Sequence, residues 1–273
     1  MKSIKKTLLA SGLLIASSNV FAEAIIMDLS AVGMPDDPVP VIFGGTIDGN
    51  AATDPFDAFK IDSNASNVST YVDSNSSGDI DFGDFVYDSV TDQGLSLDPI
   101  GDAATSENLG LTWTMNIDYY LEGFTVIVPD VNPLEPDNYV GVFTSGWANI
   151  DIINTFTGDS YDDVLEMDLV SATGTPIDGG SNAVKFSFEV TSVLEGLFHT
   201  SSGTDFFDLL EDGVELNFVA NSDLSDQGNA PVDTGDDTVE GFDIYERTTT
   251  LGSIDLRLVP EPTSLAIFGL GLL

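Results

Sequence analysis

Between residues 184 and 191 the chain changes character at every step. Val184, Phe186, Phe188 and Val190 alternate with Lys185, Ser187, Glu189 and Thr191. A period of two belongs to a strand with one buried and one wetted face. Runs of the same kind recur at Ala24–Leu29, Val39–Phe43, Leu111–Tyr119, Thr125–Val128, Tyr139–Phe143, Ile150–Asn154, Val164–Val170, Val214–Ala220, Phe242–Tyr245 and Ile254–Val259. Between them Gly, Asp, Asn, Ser and Pro collect, as in Asp48-Gly49-Asn50 and Ile177-Asp178-Gly179-Gly180, which is the chemistry of turns. Many short strands with such spacers predict an all-β fold, an antiparallel β-sandwich of jelly-roll type. One short helix is predicted at Asp205–Glu211, with Thr204 as its N-cap and Gly213 at its stop. No repeat or linker divides residues 23–259, so they are expected to form one domain.

The two ends follow other rules. Lys2, Lys5 and Lys6 precede an apolar stretch from Leu8 to Ala16, and Val20-Phe21-Ala22 offers small-residue cleavage chemistry. Residues 1–22 therefore read as a secretory signal peptide cut after Ala22. At the other end Pro260-Glu261-Pro262 leads into the uncharged run Leu265–Leu273. This end resembles the PEP-CTERM sorting signal of Gram-negative surface proteins, which implies an apolar sorting helix over 260–273. The resemblance also implies processing by an exosortase, transient insertion of the C-terminal segment into the membrane, and a destination outside the cell or on its surface. In that family a longer apolar segment and a basic tail follow the triplet. Here the run stops after nine residues without Lys or Arg, whereas a span needs about twenty, so the signal reads as truncated.

Charge narrows the partners. The full chain has 46 acidic residues and a formal net charge of −39, and only Lys60, Lys185, Arg247 and Arg257 are basic outside the signal peptide. Nucleic-acid binding by counterion release needs clustered Lys and Arg, so DNA and RNA are excluded as partners on this ground. A polyanion repels itself, which makes multivalent cations natural partners. Cysteine is absent and seventeen Phe are present, so the fold rests on its core and not on disulfides.

The sharpest motif is Asp73-Ser-Asn75-Ser-Ser77-Gly78-Asp79-Ile80-Asp81-Phe82-Gly83-Asp84. It resembles the twelve-residue calcium loop of EF-hands and dockerins, in which six to eight hard oxygens surround the ion. The resemblance implies side-chain oxygens from Asp73, Asn75 and Ser77, the backbone carbonyl of Asp79, Asp81 directly or through water, and Asp84 closing the site. Gly78 stands where the sharp turn falls, and Ile80 is expected to point into the core. Asp84 replaces the Glu that closes an EF-hand, as dockerin loops commonly do. The β-branched segment Asn67–Val72 before it predicts a loop between strands, with Ca2+ affinity of about 10⁻⁴–10⁻³ M. A plain acidic turn is the competing reading. Asp159, Asp162 and Asp163 form a second acidic group. Asp233, Asp236, Asp237 and Glu240, beside Asn221, Asp223 and Asp226, form a third. Both read as solvated charge before they read as cation sites.

Catalytic constellations are scarce. Without Cys there is no thiol nucleophile, and the single histidine, His199, allows no multi-His metal centre. No Gly-x-Ser-x-Gly elbow surrounds the serines near it, and no Gly-rich phosphate loop with its Lys occurs. Glycoside hydrolysis needs only two carboxylates, but no pair stands out. The expectation is a protein that is not an enzyme.

Aromatic residues offer a different chemistry. Trp113, Trp147, Tyr119, Tyr120 and Tyr139 are candidates for sugar contact. Trp113 shares the apolar face of Leu111, Met115 and Ile117 and reads as core, whereas Trp147, in Thr144-Ser-Gly-Trp-Ala-Asn149, reads as an exposed turn residue. Three segments resemble flocculation-associated PEP-CTERM proteins: Phe59–Asp84, the Phe143–Phe156 strand pair, and Gly196-Leu-Phe-His-Thr running into Asp205-Phe-Phe-Asp-Leu-Leu. This resemblance implies a non-catalytic matrix protein acting in aggregation, flocculation or biofilm with exopolysaccharide, and the 73–84 loop adds the expectation that calcium stabilises it. The alternative is a carbohydrate-binding module.

Overall fold

A computed structural model describes residues 24–34, 39–41, 45–47, 52–61, 66–99, 109, 112–128, 138–177, 181–225, 232–235 and 242–259. The signal peptide with Ala22, the sorting motif Pro260, Glu261 and Pro262, and Asp226, Asp236, Asp237 and Glu240 lie outside these residues.

The strands are β1 (Ile25–Met27), β2 (Val39–Val41), β3 (Gly45–Ile47), β4 (Phe56–Ile61), β5 (Ser66–Val72), β6 (Phe85–Pro99), β7 (Trp113–Val128), β8 (Asn138–Asn154), β9 (Asp159–Ile177), β10 (Ser181–Val193), β11 (Phe198–Thr200), β12 (Asn217–Ser225), β13 (Val232–Asp233) and β14 (Ile244–Val259). Among the described residues a 3-10 turn spans Leu29–Val32, and one α-helix, α1 (Phe206–Glu211), precedes β12. Strands β6 to β10 form an antiparallel meander, and β12 and β14 extend it. The sheet then returns on itself. The second half of β14 pairs with β4 (Leu256↔Phe59, Asp255↔Lys60, Ile254↔Ile61), and its first half pairs with β5 from Ile244↔Val72 to Thr250↔Ser66. Both β4 and β5 also pair with β6. They are two pieces of one stave, and with them the sheet closes into an eight-strand antiparallel barrel.

The expected β-sandwich is therefore wrong, although the all-β class with one short helix is right. Alternation records which side of a strand is buried, and it is the same for a sandwich and for a closed barrel. Closure is decided by pairing between residues nearly two hundred positions apart. Three predicted strand pairs are also single long strands, because β7, β8 and β14 continue through segments that read as turns. Strand β6 carries a register shift between Val90 and Gln93, with Asp92 at φ 55°, and this breaks its period of two.

Two glycines let β7 and β8 run together. A Cβ on Gly123 would lie 2.0 Å from the Val142 carbonyl oxygen, and one on Gly146 would lie 2.4 Å from that of Tyr120. Gly146 reads as a turn residue in the sequence, yet it is a point of close backbone approach inside a strand.

Inside the barrel stand Trp113, Met115, Ile150, Ile152, Phe186 and Phe188, all buried. Their outward neighbours on β7 include Asn116, Asp118 and Glu122. An apolar interior and a charged exterior are the reverse of a membrane-spanning barrel's arrangement. A chain of rings extends the core beyond the staves: Phe59 meets Phe198 of β11 at 6.1 Å, and Phe198 stacks on Phe206 of α1 at 6.1 Å. The N-cap of α1 is Asp205, whose side chain accepts from Phe207 N at 2.9 Å, and not Thr204. Gly213 follows the helix in the left-handed region, at φ 78°.

Gly123→Ala is expected to destabilise the barrel by about 1–3 kcal/mol, as overpacking against fixed backbone does. Urea unfolding of the variant measures this, and an unchanged midpoint would mean that β7 and β8 are farther apart than described.

Candidate functional site

Three parts of the barrel hold the residues that carry chemistry. The first is the hairpin loop 73–84 joining β5 to β6, where Val72 pairs with Phe85. Asp73 and Asp84 are fully buried at its base, whereas Asn75, Ser77 and Asp79 are exposed and Asp81 is half-buried. The Asp73 carboxylate accepts from Ser77 N (3.1 Å) and Gly78 N (2.7 Å). That of Asp84 accepts from Ser74 N (3.0 Å), Ser74 Oγ (3.0 Å) and Asp81 N (2.8 Å). Gly78, at φ 86°, makes the sharp turn, and the buried Ile80 ties the loop to the core. The loop is also sewn to its surroundings: Thr125 N and Oγ1 donate to the Asp84 carbonyl, and Tyr245 Oη donates to that of Gly78.

The donor chemistry of this loop is that of a hard-cation site, since every candidate offers oxygen. Convergence is another matter. Asn75 Nδ2 donates to Asp81 Oδ1 (2.8 Å), Ser77 Oγ donates to the Asp79 carbonyl (2.8 Å), and no group of three or more acidic or histidine side chains gathers for a metal among the described residues. The role the geometry gives directly to Asp73 and Asp84 is to satisfy backbone N–H groups of a tight turn, by charge-assisted hydrogen bonds.

The second acidic group lies on the outer face of β8 and β9. Asp163 N donates to Asp151 Oδ1 (2.6 Å), and Asn149 Nδ2 donates to Asp163 Oδ1 (2.6 Å). Burial pushes the Asp151 carboxyl above the ordinary range. The hydrogen bond from Asp163 N opposes this, and the neighbouring Asp118, Asp163 and Asp162 add to it. Asp151 was not among the sequence candidates, because only the pairing of strands brings Asp118, Asp151 and Asp163 to one patch. His199 lies in β11, opposite Ile26, and its Nε2 meets the Gly196 carbonyl at 2.9 Å.

The third part is aromatic. Outside the barrel, Tyr120 of β7 pairs directly with Trp147 of β8, and Phe85 of β6 pairs with Phe124 of β7. Tyr87 stacks on Tyr120 with ring centroids 6.1 Å apart and planes at 28°. Trp147 is 41% exposed, Phe85 51% and Phe124 37%. Trp147 therefore faces solvent from a strand, not from the turn that the sequence predicted. Between the rings sits Glu122, opposite both Tyr87 and Ser145, and it accepts from Ser145 Oγ (2.7 Å) and Tyr120 Oη (3.4 Å). Burial, followed by the Glu122 and Tyr87 charges, holds the Tyr120 hydroxyl above the usual phenol range, so it keeps its proton. Of the other aromatic candidates, Trp113 and Tyr119 are buried inside, and the side chain of Tyr139 lies outside what is described. Tyr87, Phe85 and Phe124 escaped the sequence reading because cross-strand register, not chain order, stacks Tyr87 on Tyr120 and sets Phe85 opposite Phe124.

The fold and these surfaces define a closed antiparallel barrel with a charged exterior, bearing one exposed aromatic platform. Comparison of the chain with family models, with curated proteins and with solved structures finds no match.

Asp84→Ala leaves the N–H groups of Ser74 and Asp81 without their acceptor, and the expected cost is about 1–3 kcal/mol even in chelator. Chemical denaturation in EDTA and in calcium tests this; a loss confined to calcium would assign the carboxylate to an ion instead. For Asp151 the folded-state pKa lies above the unfolded one, so its favourable contribution is present at low pH and is lost as pH rises through the folded value. Asp151→Asn, which keeps the acceptor for Asp163 N, should therefore raise the melting temperature at neutral pH. That gain should shrink as pH falls through the carboxylate range.

Proposed function

We propose that this protein is a non-catalytic component of the extracellular matrix that holds polysaccharide against the outer face of its barrel. The observation that carries the reading is the platform of Tyr87, Tyr120 and Trp147 interleaved with Glu122 and Ser145. Stacked rings present flat apolar surface, and the carboxylate and hydroxyls between them accept and donate at its edges. A pyranose ring needs that combination: an apolar face flanked by hydroxyls. An exposed apolar patch of this kind marks an interaction surface more than a packing accident.

In this reading the chain is exported by residues 1–22, sorted through Pro260-Glu261-Pro262 by an exosortase, and resident at the surface of a Gram-negative cell, where it supports aggregation, flocculation or biofilm. The formal charge of −39 opposes direct contact with acidic polysaccharide, so multivalent cations such as Ca2+ bridge carboxylates of protein and polymer. The loop oxygens of Asp73, Asn75, Ser77, Asp79, Asp81 and Asp84 are the natural place for one such ion. The discrete carbohydrate-binding module is the same surface used without cation bridging.

Trp147→Ala should weaken binding to the producer's exopolysaccharide at least tenfold in affinity electrophoresis while leaving the melting temperature within a few degrees. Binding that disappears with chelator but survives Trp147→Ala would favour cation bridging over the platform. Binding that ignores both changes would defeat the proposal.

A further inference from the structure

An eight-strand barrel lies at the boundary between an interior filled by side chains and one that holds a small ligand. Here the two ends of the lumen differ. Around Trp113, Met115, Ile150 and Ile152 the inward side chains keep at most 1% of their exposure. At the other end exposure ranges from 0% at Phe59 to 7–8% at Asp88, Leu95, Tyr119, Phe143 and Phe186. These latter residues, with Phe59 and Leu256, line a partly enclosed cavity of about 50 Å³. One water needs roughly 10–15 Å³ by this measure, so the space exceeds a single hydration site. Its walls are almost wholly apolar, which disfavours filling it with several waters.

We infer that this lumen is a binding site for a small uncharged hydrophobic molecule, a hydrocarbon body carrying at most one hydroxyl. Burial of apolar surface against Phe59, Phe143 and Phe186 supplies the attraction. The polar end is formed by Asp88, which accepts from Tyr119 Oη (3.4 Å) and Ser69 Oγ (3.5 Å). A single ligand hydroxyl placed at this end meets polar atoms and not hydrocarbon. An anionic head is excluded by the desolvation cost of the apolar walls and by the field of a chain with a net charge of −39. A cationic head would leave water for a wall of hydrocarbon, which carries a large desolvation cost. The site is independent of the outer aromatic platform, since its residues face the opposite side of the same strands.

The test uses the full chain with hexan-1-ol as probe and hexanoate and hexylammonium as charged isosteres. Methyl resonances of Ile117, Leu121 and Leu256, all of which line the cavity, report on the lumen. Hexan-1-ol should shift them in a saturable way and bind at least tenfold more tightly than either charged isostere. Ala220→Phe fills the cavity and should weaken hexan-1-ol binding at least tenfold. Leu256→Ala enlarges it and should leave binding equal or tighter, which keeps the inference testable if the filled variant does not fold. Shifts confined to residues beside Trp147, equal binding of hexanoate, or binding that Leu256→Ala abolishes would each overturn it.

Discussion

The return of the sheet onto itself governs the rest of the molecule. Strand β14 reaches β4 with one half and β5 with the other, and the broken stave they form also pairs with β6. An open sheet of this length would present two unpaired edges, each a template for another chain. Closure removes both and creates an inside and an outside. It also uses two of the few cations in the chain. Lys60 meets Asp98 at 2.8 Å, and Arg257 reaches Asp98, Asp255 and Asp57 at 3.4, 3.3 and 3.9 Å, all at the join of β6, β4 and β14. These groups are partly exposed, so each contact is worth little in isolation. Their position matters more: a strand pairing that would otherwise set Asp57, Asp98 and Asp255 side by side carries its counter-charges there.

The remaining acidity is handled locally. Asp73 and Asp84 are neutralised in effect by backbone N–H groups of their own hairpin, and Asp205 caps α1. Elsewhere, carboxylates such as Asp118, Glu122, Asp162 and Asp163 lie on the outer face, where water screens them. Asp151 shows the limit of this solution. Its hydrogen bond from Asp163 N does not offset burial beside three other carboxylates, and its pKa rises. The barrel therefore tolerates its charge because the interior takes almost none of it, Asp88 being the exception among the cavity-lining residues.

Because one strand feeds both faces, the two proposed sites are built from the same residues' neighbours. Tyr119 and Leu121 of β7 look into the lumen, while Tyr120 and Glu122 look out toward Tyr87 and Trp147. The close approach of β7 and β8 at Gly123 and Gly146 brings Trp147 directly opposite Tyr120.

The sequence by itself determined the secondary-structure class, the inward or outward side of strands such as β10, the short helix before Gly213 and the hairpin character of residues 73–84. Each of these depends on neighbours within a few positions: a period of two, a capping side chain, a glycine at a turn. It did not determine whether the strands form a sandwich or a barrel, because alternation is blind to which strand pairs with which. Nor did it gather Tyr87, Tyr120 and Trp147, whose proximity arises from register across three strands. Asp88 likewise reads as an ordinary acidic residue in β6, and only closure turns it into the polar end of an apolar lumen. Pairing over long separations is chosen by the free energy of the whole closed sheet, and that quantity is not written in any short window of the chain.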